Sequence, residues 1–545
     1  MIQFKKRKEI ENLPCIDESL PLWQNQLLLM RGMDTLEKKE AFLHPSLDQL
    51  HDPFLLEDMD RAVEHIFQVI EKKEPMVIYG DYDVDGMCAT TLLLEGLENL
   101  GAKVDYYIPS RHTEGYGLNK EAVEALSKKA KLMITVDCGI TAHQEVMLAK
   151  NLGMEVIVTD HHQLPEEKVP ALAVLNPLMG AYPFEKLCGT GVAAKLLQAL
   201  GGEKALLPCL DLVALATVAD LVPLTGENRI LVFEGLKELK NTKRIGLKQL
   251  IHLAGIDLQK EIRASQVAFM IAPRLNAAGR LSSGEKGVKL LYTKSEKEGL
   301  MLANQLHEEN EERQEIEKEL LQKAITQVEN TIDLSQRRSL VVRGENWNTG
   351  VIGLVASRLA EKYYYPTVVL SRQENEWVGS VRSIAGVNIY RVLKDCAFLF
   401  TRFGGHEQAA GLTLPLENVE TFIRVFDEKT KELSDPEAFI PIKEYDLPLP
   451  LSEVTEKTVH ALSAMQPTGY GNPEPVFLLE EAHVEQLQQM GKNKEHLRLL
   501  LRQDHTLIQG VAFRMGEMAP ELTTKVEALF VPEINTYGGK KNIQC

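Results

Sequence analysis

The chain has 545 residues, a formal charge of −17 and 44% hydrophobic content. That length calls for about three or four domains, and the acidic balance excludes a general nucleic-acid coat or a binder of anionic membranes while leaving room for a local basic groove with metal ions. The seven cysteines contain no C-x-x-C pair, so zinc-ribbon and disulfide readings are weak. The Lys5-Lys6-Arg7-Lys8 start lacks the apolar core of a signal peptide, and no apolar run reaches the ~18–20 residues that span a bilayer. A reducing cytoplasm is the expected location.

Residues 1 to about 70 read as short helices. From about 75 to 230, strand-like and helix-like runs alternate. The predicted strands are 75–81, 104–109, 131–137, 154–159 and 171–175, and the predicted helices 87–100, 119–130, 142–152 and 190–201. Such alternation is the pattern of βαβ units around a parallel sheet. Residues 296–330 combine spaced apolar positions (Leu302, Leu306, Ile316, Leu320, Ala324, Val328) with many charges, which predicts one long, partly exposed helix joining two lobes. A second α/β unit follows, with strands at 339–342 and 367–370 and a helix over 351–360 between them. Two Gly-rich segments, 379–383 and 403–411, read as turns. From about 445 the pattern changes to short strands at 476–479, 497–501, 507–513 and 528–531, as in a small β-barrel of the OB type. Residues 541–545 read as a strand cut short, so the barrel is expected to be incomplete.

The chemistry gathers at the ends of the apolar runs. Asp81, Asp83 and Asp85 alternate after the run that ends at Tyr79; Asp137 closes a second run; Asp160, His161 and His162 close a third; Asp220 ends a helix-like stretch over 212–219. Crowded carboxylates repel one another and lose hydration on folding, and a hard divalent cation neutralises them. Taken alone, any one of these aspartates fits the cap of the following helix. Together, carboxylates with imidazole suit Mn²⁺, or Mg²⁺ with more water, and a pair of ions would activate a water and clamp a phosphate. In parallel sheets ligands bind beyond the carboxyl ends of the strands, where Asp83, Asp137 and His161 are expected. His161 is the better ligand candidate, and His162 is placed to give a proton or hydrogen bond to a leaving oxygen or a phosphate.

The run Asp81-Tyr82-Asp83-Val84-Asp85-Gly86 with Asp160-His161-His162 resembles the DHH phosphoesterase superfamily. The similarity covers nearly the whole chain. It includes Arg31-Gly32, Pro109-Ser110-Arg111, Glu114-Gly115-Tyr116-Gly117, the segment from Ala219 to Leu224, the segment from Pro273 to Arg280, Gly404-Gly405-His406 and Gly469-Tyr470-Gly471-Asn472-Pro473. It points to the single-strand-specific 5′→3′ DNA exonucleases of that superfamily. The resemblance implies an α/β fold: an N-terminal helical extension over 1–70, a parallel-sheet DHH catalytic domain over 71–295, a connecting helix over 296–335, a smaller DHHA1-like α/β domain over 336–440 and an incomplete OB-like barrel over 441–545. It implies metal ligation by Asp81, Asp83, Asp85, Asp137, His161 and Asp220, with Asp160 as ligand or support, and chemistry at Asp83, Asp137 and His162. Substrate contacts are implied for Arg111, Tyr116, Arg274, Asn276 and Arg280, with Ser380 and Arg382 as a 5′-phosphate pocket and Gly404, Gly405 and His406 nearby. The implied cofactor is Mn²⁺ or Mg²⁺, as two ions. The implied partners are single-stranded DNA, a single-strand binding protein and a RecQ-like helicase, with no membrane. Two rival readings are a DHH enzyme of short oligonucleotides, cyclic dinucleotides or polyphosphate, and a non-catalytic scaffold on the same fold. The chain's length and the barrel over 445–545 disfavour the first, and its full ligand set disfavours the second.

Overall fold

The computed structural model describes residues 3–8, 15–111, 113–520, 522, 524–537 and 540–545. Within the expected N-terminal extension the described residues form a short strand, Gln3–Lys6, and the helices Leu22–Met30, Leu36–Leu43 and Met59–Glu71; residues 1, 2 and 9–14 lie outside the described residues.

The catalytic-domain candidate is built on a five-stranded, all-parallel sheet in the order Lys103–Tyr107, Pro75–Tyr79, Leu132–Val136, Glu155–Thr159, Ala173–Leu175. Its central strands are buried nearly end to end, so they read as unbroken apolar runs rather than alternating ones. Val77, Tyr79, Met133, Val156 and Val158 fill one face, against Val123 and Val146 of the flanking helices. Helices Val84–Asn99, Gly189–Gly201, Leu210–Ala219 and Gly226–Lys240 follow the chain through this region. The strand order reverses between Pro75–Tyr79 and Leu132–Val136, and in open α/β sheets that reversal opens a crevice at the strands' carboxyl ends.

The chain forms two compact units. One holds residues 4–275, 284–303 and 444–545; the other holds Gln3, 276–283 and 304–443. In the second unit a mixed sheet runs Arg402–Gly405, Ala409–Pro415, Glu376–Arg382, Thr367–Gln373, Leu340–Glu345. Its one parallel pair is crossed by helix Ile352–Tyr363, and the other pairs are antiparallel. The helix Glu296–Thr331, 36 residues long, contributes Leu320, Ala324 and Val328 to the core on one side of that sheet, together with Trp347. The two Gly-rich segments expected as turns are corrected here: Gly379 and Ser380 lie inside a strand, and residues 402–415 are a hairpin in which His406 N donates to the Ala409 carbonyl at 2.8 Å. Glycine at 379 is required by packing rather than by a turn, because a Cβ there would lie 2.6 Å from Leu370 Cδ2 and 2.9 Å from Leu412 Cδ1 on the adjacent strands.

The C-terminal region is a curled sheet. Its long strand, Phe477–Met490, pairs with His496–Gln503 at one end and Lys525–Phe530 at the other. Thr506–Ala512, Lys540–Gln544 and Glu533–Tyr537 continue it. The last residues do form a strand, antiparallel to Glu533–Tyr537. Trp23, Leu27, Leu28 and Phe42 of the N-terminal helices share one core with Leu449, Phe477, Leu501 and Phe530. The helices Leu22–Met30 and Leu36–Leu43 and the C-terminal sheet are therefore joined by one core. No helix among the described residues is long and apolar enough to cross a membrane.

Candidate metal centre

The loop after Pro75–Tyr79 carries Asp81 and Asp83 into the crevice where the strand order reverses. Asp83 caps helix Val84–Asn99, its Oδ1 accepting from the backbone N–H of Asp85 at 2.9 Å and of Gly86 at 3.2 Å. The capping reading and the ligand reading thus meet in one side chain. Gly86 permits the tight wrap, since a Cβ there would fall 2.5 Å from the Asp81 backbone. Asp85, one residue into the helix, points at a second helix end: its carboxylate accepts from Gly189 N and Thr190 N, each at 2.7 Å, at the start of Gly189–Gly201. Backbone N–H groups at a helix N-terminus hold an anion well. Gly189 also lets that helix close on Asp137, because a Cβ there would lie 2.6 Å from Asp137 Cβ. Asp137 ends strand Leu132–Val136 in the left-handed region, with φ 59°, a conformation that costs a non-glycine residue roughly 1 kcal/mol or more and recurs where function requires it.

His161 meets these groups from the end of Glu155–Thr159. Its Nε2 lies 3.1 Å from Asp137 Oδ1, 3.7 Å from Asp220 Oδ2 and 3.9 Å from Asp85 Oδ2. None of these approaches has hydrogen-bonding geometry, and Nε2 is buried without a partner, as is Asp81 Oδ1. Asp220 enters as the C-cap of helix Leu210–Ala219. Ligand-capable atoms within 4.8 Å of one another occur in three sets: Asp81, Asp83 and Asp137; Asp85, His161 and Asp220; and Asp137, His161 and His162. All six sequence-predicted metal residues therefore converge.

The electrostatics are those of a site short of positive charge. Burial, then the neighbouring Asp85, Asp83, Asp220 and Asp81 carboxylates, raises Asp137 well above the carboxylate range. Burial and Asp83 do the same to Asp81, and burial and Asp85 raise Asp83. Asp220 is pushed up to about 9 by burial and then by Asp85 and Asp83. Burial lowers His161, which favours the neutral imidazole that ligates metals. Five buried or half-buried carboxylates, one neutral imidazole and two orphaned polar atoms fit a pair of hard divalent cations.

Asp160 and His162 make a different arrangement. Asp160 Oδ1 accepts from His162 Nδ1 at 2.7 Å and from the His161 and His162 backbone N–H, and Oδ2 accepts from Ile140 N at 2.9 Å. Burial works against its charge, but these bonds hold Asp160 below the usual range. Burial likewise opposes a charged His162, and the Asp160 bond reverses that and raises it. Asp160 is thus occupied as an orienting anion. Asn176 Nδ2 adds a bond to the His162 carbonyl at 2.9 Å. Tyr116 closes the group: its hydroxyl donates to the Asp137 carbonyl at 3.2 Å and stands 3.3 Å from His162 Nδ1, while the residue stays 53% exposed.

The remaining candidates make contacts of their own. Arg111 is exposed, its guanidinium 5.4 Å from the Tyr82 ring centroid. Helix Ala272–Leu281 carries Arg274, bonded to the Met270 carbonyl, and Arg280, whose Nη1 donates to Gly350 O at 3.0 Å; Asn276 lies between them. Ser380 and Arg382 sit on strand Glu376–Arg382, where Arg382 Nη1 donates to Ser380 Oγ at 3.1 Å and to the Val381 carbonyl at 2.8 Å. A Cβ on Gly353, in the first turn of helix Ile352–Tyr363, would lie 3.0 Å from both Arg382 Nη2 and Ser380 Oγ, so that helix start and the arginine fork are close neighbours. Gly404, Gly405 and His406 are exposed at the tip of their hairpin. Sequence reasoning missed Gly189, Thr190 and Asn176. For the first two a signal exists, since Cys188-Gly189-Thr190-Gly191 opens an apolar helix, as anion-holding turns do.

Comparison with known proteins places this geometry. Residues 75–217 match the DHH family, N-terminal domain; residues 336–432 match the DHHA1 domain; residues 445–545 match the RecJ OB domain. The chain is 33% identical to the single-stranded-DNA-specific exonuclease RecJ of Escherichia coli, over 99% of this chain and 97% of that protein. It is 39% identical to the Bacillus subtilis protein of the same name over 95% of this chain, spanning 66% of that relative's length. Among solved structures, RecJ of Thermus thermophilus in complex with Mn²⁺ superimposes with a TM-score of 0.86 at 30% identity, covering 99% of this chain and 78% of that one.

Proposed function

Because the chain belongs to the RecJ family of DHH phosphoesterases, we propose that its carboxylate cluster hydrolyses the terminal phosphodiester of single-stranded DNA, working from the 5′ end and releasing 5′-mononucleotides. The observation that carries this reading is the convergence of five carboxylates with an unpartnered His161 Nε2 at the sheet's reversal point. Asp81, Asp83 and Asp137 would hold one cation, and Asp85, His161 and Asp220 a second. When bound, Mn²⁺ or Mg²⁺ supplies positive charge that polarises the phosphate and acidifies water.

The chain's own residues supply the rest. Asp160 fixes the Nδ1 proton of His162 and supports its positive charge, so Nε2 is oriented to donate to a phosphate oxygen or to the departing 3′ oxygen. The half-exposed Tyr116 ring, tethered by its hydroxyl to the Asp137 carbonyl, offers a face on which the terminal base stacks in any sequence. On the second unit, the Arg382 fork, Ser380 and the start of helix Ile352–Tyr363 lie close together and would bind a terminal 5′ phosphate. Arg111, Arg274, Asn276 and Arg280 would meet the strand's backbone. A helicase and a single-strand binding protein are the partners such a substrate requires, since one produces single strands and the other covers them. The cytoplasm is the location in which they arise, and the free cysteines suit it.

The test is Mn²⁺-dependent release of 5′-mononucleotides from a 5′-labelled strand, from its duplex and from a dinucleotide. Rapid release from the single strand, little from the duplex and loss of release in Asp137→Asn are expected. Preference for the dinucleotide would overturn the exonuclease reading.

A further inference from the structure

We infer that the turn Gly469-Tyr470-Gly471-Asn472, at the entry to the C-terminal sheet, is a positioning device for Asp220 and so sets the affinity of the metal centre. The inference rests on the reading of Asp220 as a ligand. It assigns a role in that site to residues far away in sequence.

Asp220 is the C-cap of helix Leu210–Ala219, where the chain turns. The next residue, Leu221, adopts φ 57° with 66% of its surface exposed. That left-handed position after a helix is the one glycine relaxes, and leucine there costs roughly 1–2 kcal/mol. An exposed leucine gains little from burial in return, so the conformation must be imposed by the downstream segment. Pro223 and Leu224 are pinned from two sides. Asn228 Nδ2 donates to the Pro223 carbonyl at 3.0 Å. Leu224 N donates to the Tyr470 carbonyl at 2.7 Å. The fit is close: a Cβ on Gly471, itself at φ 74°, would lie 2.6 Å from Pro223 Cβ, and one on Gly469 would lie 2.8 Å from Leu224 Cδ1.

The pinning turn is itself rigidly held. Gly469 and Asn472 exchange backbone bonds at 2.9 and 3.2 Å. Asn472 is 1% exposed; its Nδ2 donates to the Met465 and Pro467 carbonyls and its Oδ1 accepts from Arg31 Nε at 3.0 Å. Arg31 Nη2 continues to the Pro473 carbonyl at 2.9 Å. From the other side, Arg229 donates to the carbonyls of Phe42, Met465, Gln466 and Pro467. The chain of contact runs from the N-terminal helices through Asn472 to Pro223 and Leu224, and from there to the strained residue beside Asp220. Groups that orient metal ligands at one remove typically govern affinity about ten- to a hundred-fold.

The test is Mn²⁺ titration of the metal-free full-length protein, with free Mn²⁺ read by electron paramagnetic resonance, for wild type, Asp220→Asn, Gly471→Ala and Gly469→Ala. Thermal melts of the metal-free forms run alongside. Gly471→Ala pushes on the Pro223 ring and is expected to weaken Mn²⁺ binding about tenfold. Gly469→Ala meets only the tip of Leu224 and is expected to weaken it less, with a melting temperature near that of wild type. Wild-type affinity in both variants would overturn the inference; should Gly471→Ala fail to fold, Gly469→Ala decides alone. If wild type binds no Mn²⁺, or Asp220→Asn binds like wild type, the metal reading fails first and the inference with it.

Discussion

Two buried ionic clusters in the same compact unit make opposite use of charge. Under the N-terminal helices, Lys195 and Glu227 are 2% and 1% exposed and lie 2.6 Å apart. Tyr182 OH and His51 N complete the Glu227 carboxylate, and the His51 carbonyl and Gln198 take further Lys195 protons. Charges cancel and the polar atoms have partners. At the reversal point of the sheet, five carboxylates face one neutral histidine, and Asp81 Oδ1 and His161 Nε2 have none. Buried charge by itself is therefore a poor sign of function. Imbalance of sign, with orphaned atoms, is the informative one, because a fold does not tolerate it unless something absent from the chain completes it.

The largest effect expected from this contrast is at the unbalanced cluster. Asp137→Asn should lower exonuclease kcat at least about a thousand-fold, ~4 kcal/mol, while leaving the metal-free fold as stable as wild type or more so, because one repelling carboxylate is gone. The metal-free wild type should also respond to pH. Asp81, Asp83, Asp137 and Asp220 all have raised folded-state values, so the folded protein holds protons that the unfolded chain releases. Their contribution is complete below the unfolded carboxylate range, near pH ~4, and is lost as pH rises through the folded values, which for Asp220 extends to about 9. Melting temperature without metal should fall across that window, and Mn²⁺ should remove most of the slope. A flat profile without metal would break the contrast.

At the balanced cluster the same kind of lesion acts on stability instead. Lys195→Met leaves Glu227 buried with no cation and should cost about 3 kcal/mol. Lys195→Met with Glu227→Gln should recover a large part of that. Specific activity of the folded fraction should not change in either variant, and a loss of turnover per folded molecule would show that the two clusters are not separable. Between these extremes stands Arg382, whose fork is held by Ser380 Oγ and the Val381 carbonyl. Arg382→Ala should reduce kcat/KM on 5′-phosphorylated strands by about tenfold, in line with ~1.5 kcal/mol for a charge-assisted hydrogen bond, and narrow the preference over 5′-hydroxyl ends. Equal rates on both ends in wild type would remove the basis for the assignment.

Much of the unbalanced cluster was legible in the sequence, and for a physical reason. Strands buried on both faces appear as apolar runs, so the residues that end them are marked, and carboxylates repeated at those ends are too costly to bury together without a cation. The Lys195–Glu227 pair, being neutral and internal, leaves no such mark. Three further features escaped for different reasons. The hydrogen bonds from Gly189 and Thr190 to Asp85 come from the backbone, which has no side-chain signature beyond the glycines that allow it. The segments around Gly379 and Gly404 read as turns, since glycine is poor in strands; in the fold, Leu370 and Leu412 fill the space a Cβ at 379 would need. The shared core of Trp23, Leu28 and Phe477 joins opposite ends of the chain, and no local pattern encodes a pairing at that separation.

The smallest expected effect sets the floor of the comparison. The helix Glu296–Thr331 carries charges of both signs that are neither buried nor orphaned, among them Lys323 and Glu319, 2.6 Å apart at i,i+4 and 56% and 67% exposed. Water solvates both partners with or without the pair, and ordering two long side chains offsets most of the attraction. Lys323→Ala should therefore change stability by less than about 0.5 kcal/mol and cleavage not at all, measured by denaturant melts and by nucleotide release. A shift of the size expected for Lys195→Met would mean that exposure does not decide what an ion pair contributes here, and the distinction between the balanced and the unbalanced clusters would then need a cause other than burial.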